Sequence, residues 1–138
     1  MDNKKTLEYL NQVMVKGTLM ETLDIRYTGI GDDFLKAEMP VNSKVHQPMG
    51  FLHGGASVAL AESVGSAASH ILVDQSKYEV RGIEISANHL RSMKEGIVTA
   101  TAKLQHKGKT LHLWEIRIVD EKDRLVTLCK LTNIVLQK

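Results

Sequence analysis

The sequence predicts an α+β protein in which one long central helix is wrapped by an antiparallel sheet of five or six strands. Three observations predict it. Residues 54 to 72 carry no proline, are rich in alanine and serine, and place small or apolar groups around most of a helical circumference. Residues 80 to 136 alternate apolar and polar side chains in four successive runs. Ahead of the helix, two further strand-like runs flank a Gly-Asp-Asp turn signal.

The elements follow in order. Residues 5 to 15, KTLEYLNQVMV, space Leu7, Leu10, Val13 and Met14 on one helical face, and Gly17 ends that helix. A further helical turn fits Thr18 to Leu23. DIRYTGIG and DDFLKAEMPV, residues 24 to 41, read as a strand pair. Residues 42 to 53 form a loop with Pro48 and Gly50. The helix over 54 to 72 runs about five turns. VRGIEISANHLRSM, GIVTATAKLQHKG, KTLHLWEIRIVDE and RLVTLCKLTNIVL then read as four long strands. MKEG, HKGK and DEKD are the expected hairpin turns of a simple meander.

Composition narrows the function. The 138 residues fit one domain, with two prolines and no linker-like run. A net charge of +2 is too small to argue for nucleic acid, and 4% aromatics argues against a stacking platform for single strands. The single cysteine, Cys129, allows no intrachain disulfide and fits a reducing compartment, so a cytoplasmic location is expected. Cys129 follows a strand pattern with Leu125, Thr127 and Leu131 and should be packed and inert. The N-terminus has no signal-type apolar run, and Glu62, His70 and several serines interrupt the stretch from Ala56 to Val73, so no membrane partner is expected. Six scattered histidines lack metal-ligand spacing, and no GxSxG elbow occurs. Neither a metal nor another cofactor is expected. His46, His70 and His112 read as structural.

Candidate chemistry concentrates in HGGASVALAESVGS, residues 53 to 66. Glu62 sits among small and apolar groups, with Val58, Ala59, Gly65, Ser66 and Ser69 as helical neighbours and no Lys or Arg within four residues. An exposed Glu62 would be an ordinary surface charge. A buried one can act as base or nucleophile. His53, Gly54 and Gly55 open the helix, where backbone N–H groups lack intrahelical acceptors and face the positive end of the helix dipole. Such a start can hold a developing oxyanion, although a glycine pair also marks plain loop-to-helix junctions. Gly54 and Glu62 are eight residues apart, or ~12 Å of helix. One reacting carbon must lie within about 3 Å of both groups. One helix therefore does not serve a single carbonyl with both, whereas two antiparallel copies across a two-fold axis do. The catalytic reading thus requires a homodimer with shared sites.

Three stretches carry a family resemblance: QPMGFLHGGASVALAESVGS (47 to 66), GIEISANHLRS (82 to 92) and HKGKTLHLWEIRIVDEKDRLV (106 to 126). Over roughly residues 20 to 136 the chain resembles the hotdog-fold acyl-CoA thioesterases. It is most similar to the branch of 1,4-dihydroxy-2-naphthoyl-CoA hydrolases and Arthrobacter-type 4-hydroxybenzoyl-CoA thioesterases. Glu62 with Gln47 favours this branch, since phenylacetate-type hotdog enzymes typically carry Asp and Asn there. The resemblance implies hydrolysis of an acyl-CoA, aryl esters included, by a dimer or by a tetramer built from two dimers. Glu62 would be the catalytic carboxylate and the Gly54 N–H the oxyanion donor. His53 would support the carbonyl, Gln47 would orient water or the acyl intermediate, and Ser66 would help hold water or substrate. Gly82, His89, Leu90, Arg91 and Ser92 would contact coenzyme A, joined by His106, Lys107, Gly108, Lys109 and Thr110 of the basic turn. Met49, Phe51 and Val64 are the expected lining of the acyl pocket, and Ala59, Ser63 and Ala67 leave room in it. A non-catalytic acyl-CoA-binding module and a dehydratase acting on acyl-carrier-protein substrates are the competing readings.

Overall fold

The computed structural model describes residues 2–138. Asp2 caps helix α1 (Asn3–Tyr9), its carboxylate accepting the Lys4 N–H at 2.9 Å. The helix widens into a π-type turn over Leu10–Met14. Gly17, with φ +72°, reverses the chain before the short α2 (Leu19–Thr22). Strands β1 (Arg26–Ile30) and β2 (Phe34–Val41) follow, and then α3 (Gly54–Leu72). The last four elements are β3 (Tyr78–His89), β4 (Gly96–Lys107), β5 (Leu111–Val119) and β6 (Leu125–Gln137).

All six strands form one antiparallel sheet in the order β1-β2-β4-β5-β6-β3. The expected simple meander is therefore corrected. MKEG is not a hairpin turn: β3 pairs with β6 at the far edge, and residues 90 to 95 carry the chain back across the sheet to β4. Three strand spacings come to ~14 Å, and six extended residues reach ~20 Å. Alternation within a strand reports which face is buried, not which strand lies alongside.

Helix α3 lies across one face of the sheet and packs on β2 to β6. Its inner side is Ser57, Leu60, Ala61, Val64, Gly65, Ala68 and Ser69, all buried. They meet Val98, Ala100, Trp114, Ile116, Cys129 and Leu131 in the same core. Burial holds Cys129 as a thiol, its pKa pushed up to about 11. Gly65 marks the closest approach: a β-carbon there would stand 2.4 Å from Leu131 Cδ2. Each fully buried Leu or Val contributes about 1.5–3 kcal/mol, so the apolar inner side of α3 accounts for its seating.

A polar cluster interrupts this core. Ser69 Oγ accepts from Trp114 Nε1 and from Asn133 Nδ2, both at 2.8 Å. Its one proton is then left for His112 Nδ1, 2.9 Å away. His112 is thus a neutral imidazole protonated on Nε2. Desolvation holds its pKa below the ordinary value near 6.5, and Lys107 and His106 add to the shift. His70 is lowered in the same way, by desolvation and then by Lys138.

The two sheet edges differ. Asn11 closes the edge of β1, its amide bonding both the N–H and the C=O of Tyr27 at 2.8 and 2.9 Å. The edge of β3 is open, and Arg81 to Glu84 are exposed along it. Among the described residues no helix is long and apolar enough to cross a membrane.

The two depressed histidines set a pH dependence. Above about pH 6.5 both folded and unfolded imidazoles are neutral, and their contribution is complete. Below it the unfolded chain binds protons that folded His70 and His112 refuse, so stability falls with pH. Urea midpoints should therefore drop between about pH 7.5 and about pH 5.5. His112→Gln keeps an acceptor for Ser69 and should lose less stability than wild type over that interval.

Candidate active site

Glu62 lies half-buried midway along α3, on the side turned away from the deepest core. Its helical neighbours divide. Val58, Ala59 and Ser66 share its side, whereas Gly65 and Ser69 face the sheet. The carboxylate rests against β3 at Gly82, where an added β-carbon would stand 2.9 Å from Glu62 Oε2 and 3.5 Å from Asn133 Oδ1. Gly82 is thus the gap in the sheet surface that admits the carboxylate.

A cavity of about 570 Å³ runs along this side of α3 from Gly55 to His70. Met14, Leu19 and Met20 bring the N-terminal helices over it, and Tyr27 and Val80 complete its apolar walls. Glu62 is the one carboxylate among its lining residues, accompanied by Ser63, Ser66 and Ala67. Val64, an expected lining residue, is fully buried against the sheet instead. His70 also lines the cavity, although its spacing read as structural. Its ring stacks on Tyr9 at 6.5 Å, and its Nε2 has no hydrogen-bond partner among the described residues.

The start of α3 opens elsewhere. His53 is the N-cap, and its Nδ1 accepts the Gly55 N–H at 2.7 Å. That bond leaves the proton of a neutral His53 on Nε2, free to donate. The Gly54 N–H has no acceptor among the described residues. Gln47 Oε1 accepts from the backbone N–H of Met49 and of Phe51, which ties down its loop and leaves Nε2 as a donor. Gln47, Phe51, Gly54, His89, Leu90, Arg91 and Ser92 line a second cavity of about 310 Å³. The His89 ring lies over Gly54, where an added β-carbon would meet its Nε2 at 2.7 Å. Thr127 Oγ1 bonds His89 Nδ1 at 3.2 Å.

One chain therefore brings Gln47, Gly54 and the His89–Ser92 segment to one cavity, and Glu62 and Ser66 to the other. His106, Lys107, Gly108, Lys109 and Thr110 lie at the β4–β5 turn and line neither. The turn is closed by Gly108 N–H donating to the Leu111 carbonyl at 2.8 Å. Sequence reading missed Met14, Met20, Tyr27, Thr127 and Asn133. Their partners lie far away along the chain, and no local pattern marks them.

A cavity this apolar around a single carboxylate suits an acyl group, and a helix start with a free N–H suits the carbonyl that joins it to a leaving group. With α3 laid on one six-stranded sheet, these features define a hotdog-fold thioester hydrolase. The chain belongs to the thioesterase superfamily, whose family model matches residues 49–127. It is 50% identical over 133 residues to the 1,4-dihydroxy-2-naphthoyl-CoA hydrolase of Escherichia coli, covering 96% of each chain. It is 46% identical over 131 residues to the proofreading thioesterase EntH of Cronobacter turicensis, covering 95% of this chain and 94% of that one. Among solved structures, a mutant thioesterase of Pseudomonas aeruginosa superposes with a TM-score of 0.90 at 40% identity, over 100% of this chain and 96% of that one.

Gly82→Ala tests the seat of the carboxylate. The added methyl crowds the flexible end of Glu62 and stands at ordinary contact distance, 3.5 Å, from Asn133 Oδ1, so the melting temperature should hold. The displaced carboxylate should cost about 100-fold in kcat.

Proposed function

We propose that this thioester hydrolase cleaves aryl acyl-CoA esters to the free acid and coenzyme A, with Glu62 as the catalytic carboxylate. The observation that carries this reading is the lone Glu62 carboxylate in an apolar cavity large enough for an aryl or bulky acyl group. The acyl group lies along α3 beneath Met14 and Met20. Ser66, one turn beyond Glu62, helps hold water or substrate. The Gly54 N–H, aided by the dipole of α3, receives the negative charge that develops on the thioester oxygen. His53 Nε2 and Gln47 Nε2 donate to the acyl carbonyl or orient water beside it. His89, Leu90, Arg91 and Ser92 bind the coenzyme A moiety beyond Gly82. The basic turn His106–Thr110 offers its lysine point charges to the phosphates.

The separation of the two cavities supports a site shared between two copies of the chain. Glu62 of one protomer and Gly54 of its partner then act on one carbonyl. The open edge of β3, with Ile83 55% and Leu90 60% exposed, favours pairing of two sheets edge to edge. In this reading the dimer is obligatory, two dimers form a tetramer, and the enzyme works in the cytoplasm.

Thiol release from benzoyl, 4-hydroxybenzoyl, 1,4-dihydroxy-2-naphthoyl and hexanoyl-CoA tests the reaction. Turnover should be fastest on an aryl ester, and Glu62→Ala should reduce it at least about 100-fold. Wild-type rates in that variant would refute the role of Glu62. Gly54→Pro removes the oxyanion N–H at a first helical position whose backbone accepts proline, and its ring also displaces His89, which lies over Gly54 in the same cavity. A purified heterodimer of Glu62→Ala with Gly54→Pro retains one intact shared site and should show about half of wild-type activity. An inactive heterodimer would place both groups within one chain.

A further inference from the structure

Asn133 is fully buried on β6, and its Oδ1 is one of two buried side-chain polar atoms without a hydrogen-bond partner among the described residues. The orientation of its amide is dictated by its surroundings. Nδ2 lies 3.1 Å from the Gly65 carbonyl oxygen, which can only accept, and 2.8 Å from Ser69 Oγ. Oδ1 must then face the other way. Across the strand pair its residue stands opposite Gly82. Oδ1 and Glu62 Oε2 crowd the same side of that glycine, the side a β-carbon would occupy.

A buried acceptor left unpaired is costly, commonly about 1–3 kcal/mol. Oδ1 is closed to solvent, and Glu62 is the titratable side chain that crowds the same spot beside Gly82. As a carboxylate, Glu62 cannot donate. As a carboxylic acid, it can. Building on the reading of Glu62 as the catalytic carboxylate, we propose that Asn133 is a positioning residue whose Oδ1 accepts a hydrogen bond from Glu62 while Glu62 holds the proton of the attacking water.

The water oxygen bonds to the thioester carbonyl carbon, and the carbonyl π electrons move to its oxygen. Glu62 takes the water proton and turns its O–H to Asn133 Oδ1. When the carbonyl re-forms, the C–S bond breaks, and sulfur leaves with the electron pair. The same proton passes from Glu62 to the thiolate, which gives the thiol and restores the carboxylate. Asn133 gains its partner only during the interval when Glu62 is protonated, so its interaction strengthens along the reaction and acts on kcat. The remaining cluster holds the amide still: Nδ2 is anchored to Ser69 and Gly65, and Ser69 in turn to His112 and Trp114.

The test compares wild type, Asn133→Leu, Asn133→Thr and His112→Gln on benzoyl-CoA, with a melting curve for each. Asn133→Leu should lower kcat about 10- to 100-fold with KM within about twofold. Asn133→Thr retains an acceptor oxygen and should recover most of kcat. His112→Gln keeps an acceptor for Ser69, so the anchor of the Asn133 amide is retained, and the loss of the packed imidazole should lower the melting temperature with little change in kcat. Wild-type kcat in Asn133→Leu would overturn the proposal, as would loss of kcat in step with melting temperature across all three variants. A single turnover in ¹⁸O-water gives an independent check that needs no variant at Asn133. Glu62 should stay unlabelled, and label in its carboxylate would show it to be the nucleophile and overturn the proposal. An inactive Glu62→Ala beside a fully active Asn133→Leu would remove only the role of Asn133, whereas an active Glu62→Ala would remove the reading beneath it.

Discussion

The distance between α3 and the sheet is the constraint on which the rest depends. Gly65 allows it, since any side chain there would enter the space of Leu131. Ser69 fastens it, because one hydroxyl meets Trp114, His112 and Asn133 from two strands. With the helix held this low, Glu62 reaches β3, and only a glycine at position 82 leaves space for its carboxylate. A helix set a few tenths of an ångström higher would lift Glu62 away from Gly82 and Asn133 together. Interiors are packed closely enough that such a shift is not absorbed locally.

That seating also divides the helix by function. The inner side supplies packing through Leu60, Ala61, Val64 and Ala68. The flank bearing Glu62 is lined by small groups such as Ala59, Ser63 and Ala67, and the cavity exists because those groups are small. The N-terminal helices, which carry no reacting group in this scheme, close the cavity with two methionines, whose flexible side chains suit varied acyl shapes. Helix α1 has a second task, since Asn11 seals the edge of β1. The open β3 edge is then the one left for association.

Much of this was legible in the sequence, for identifiable reasons. Composition and spacing located α3 at residues 54 to 72, matching Gly54–Leu72, because small and apolar groups around most of a circumference point to a largely buried helix. The strands were equally plain, since alternation is a local property. Their neighbours were not, and β3 lies beside β6 rather than β4. Val64 read as a pocket residue because helical spacing gives faces only relative to one another. The sheet decides which face is inside.

By itself, then, the sequence determined the elements, the carboxylate amid apolar residues, and the helical separation of Gly54 from Glu62. These depend on residue type and on rise per residue, which are local. Only the tertiary structure decided that Glu62 meets Gly82 and that Gly54 opens on a different cavity with His89. It also decided that a core cluster ends in an unpaired oxygen on Asn133. Each of these joins residues between about 20 and 70 positions apart. Such pairs are set by strand order, register and the height of one helix above the sheet, and no short-range pattern in the chain encodes those quantities.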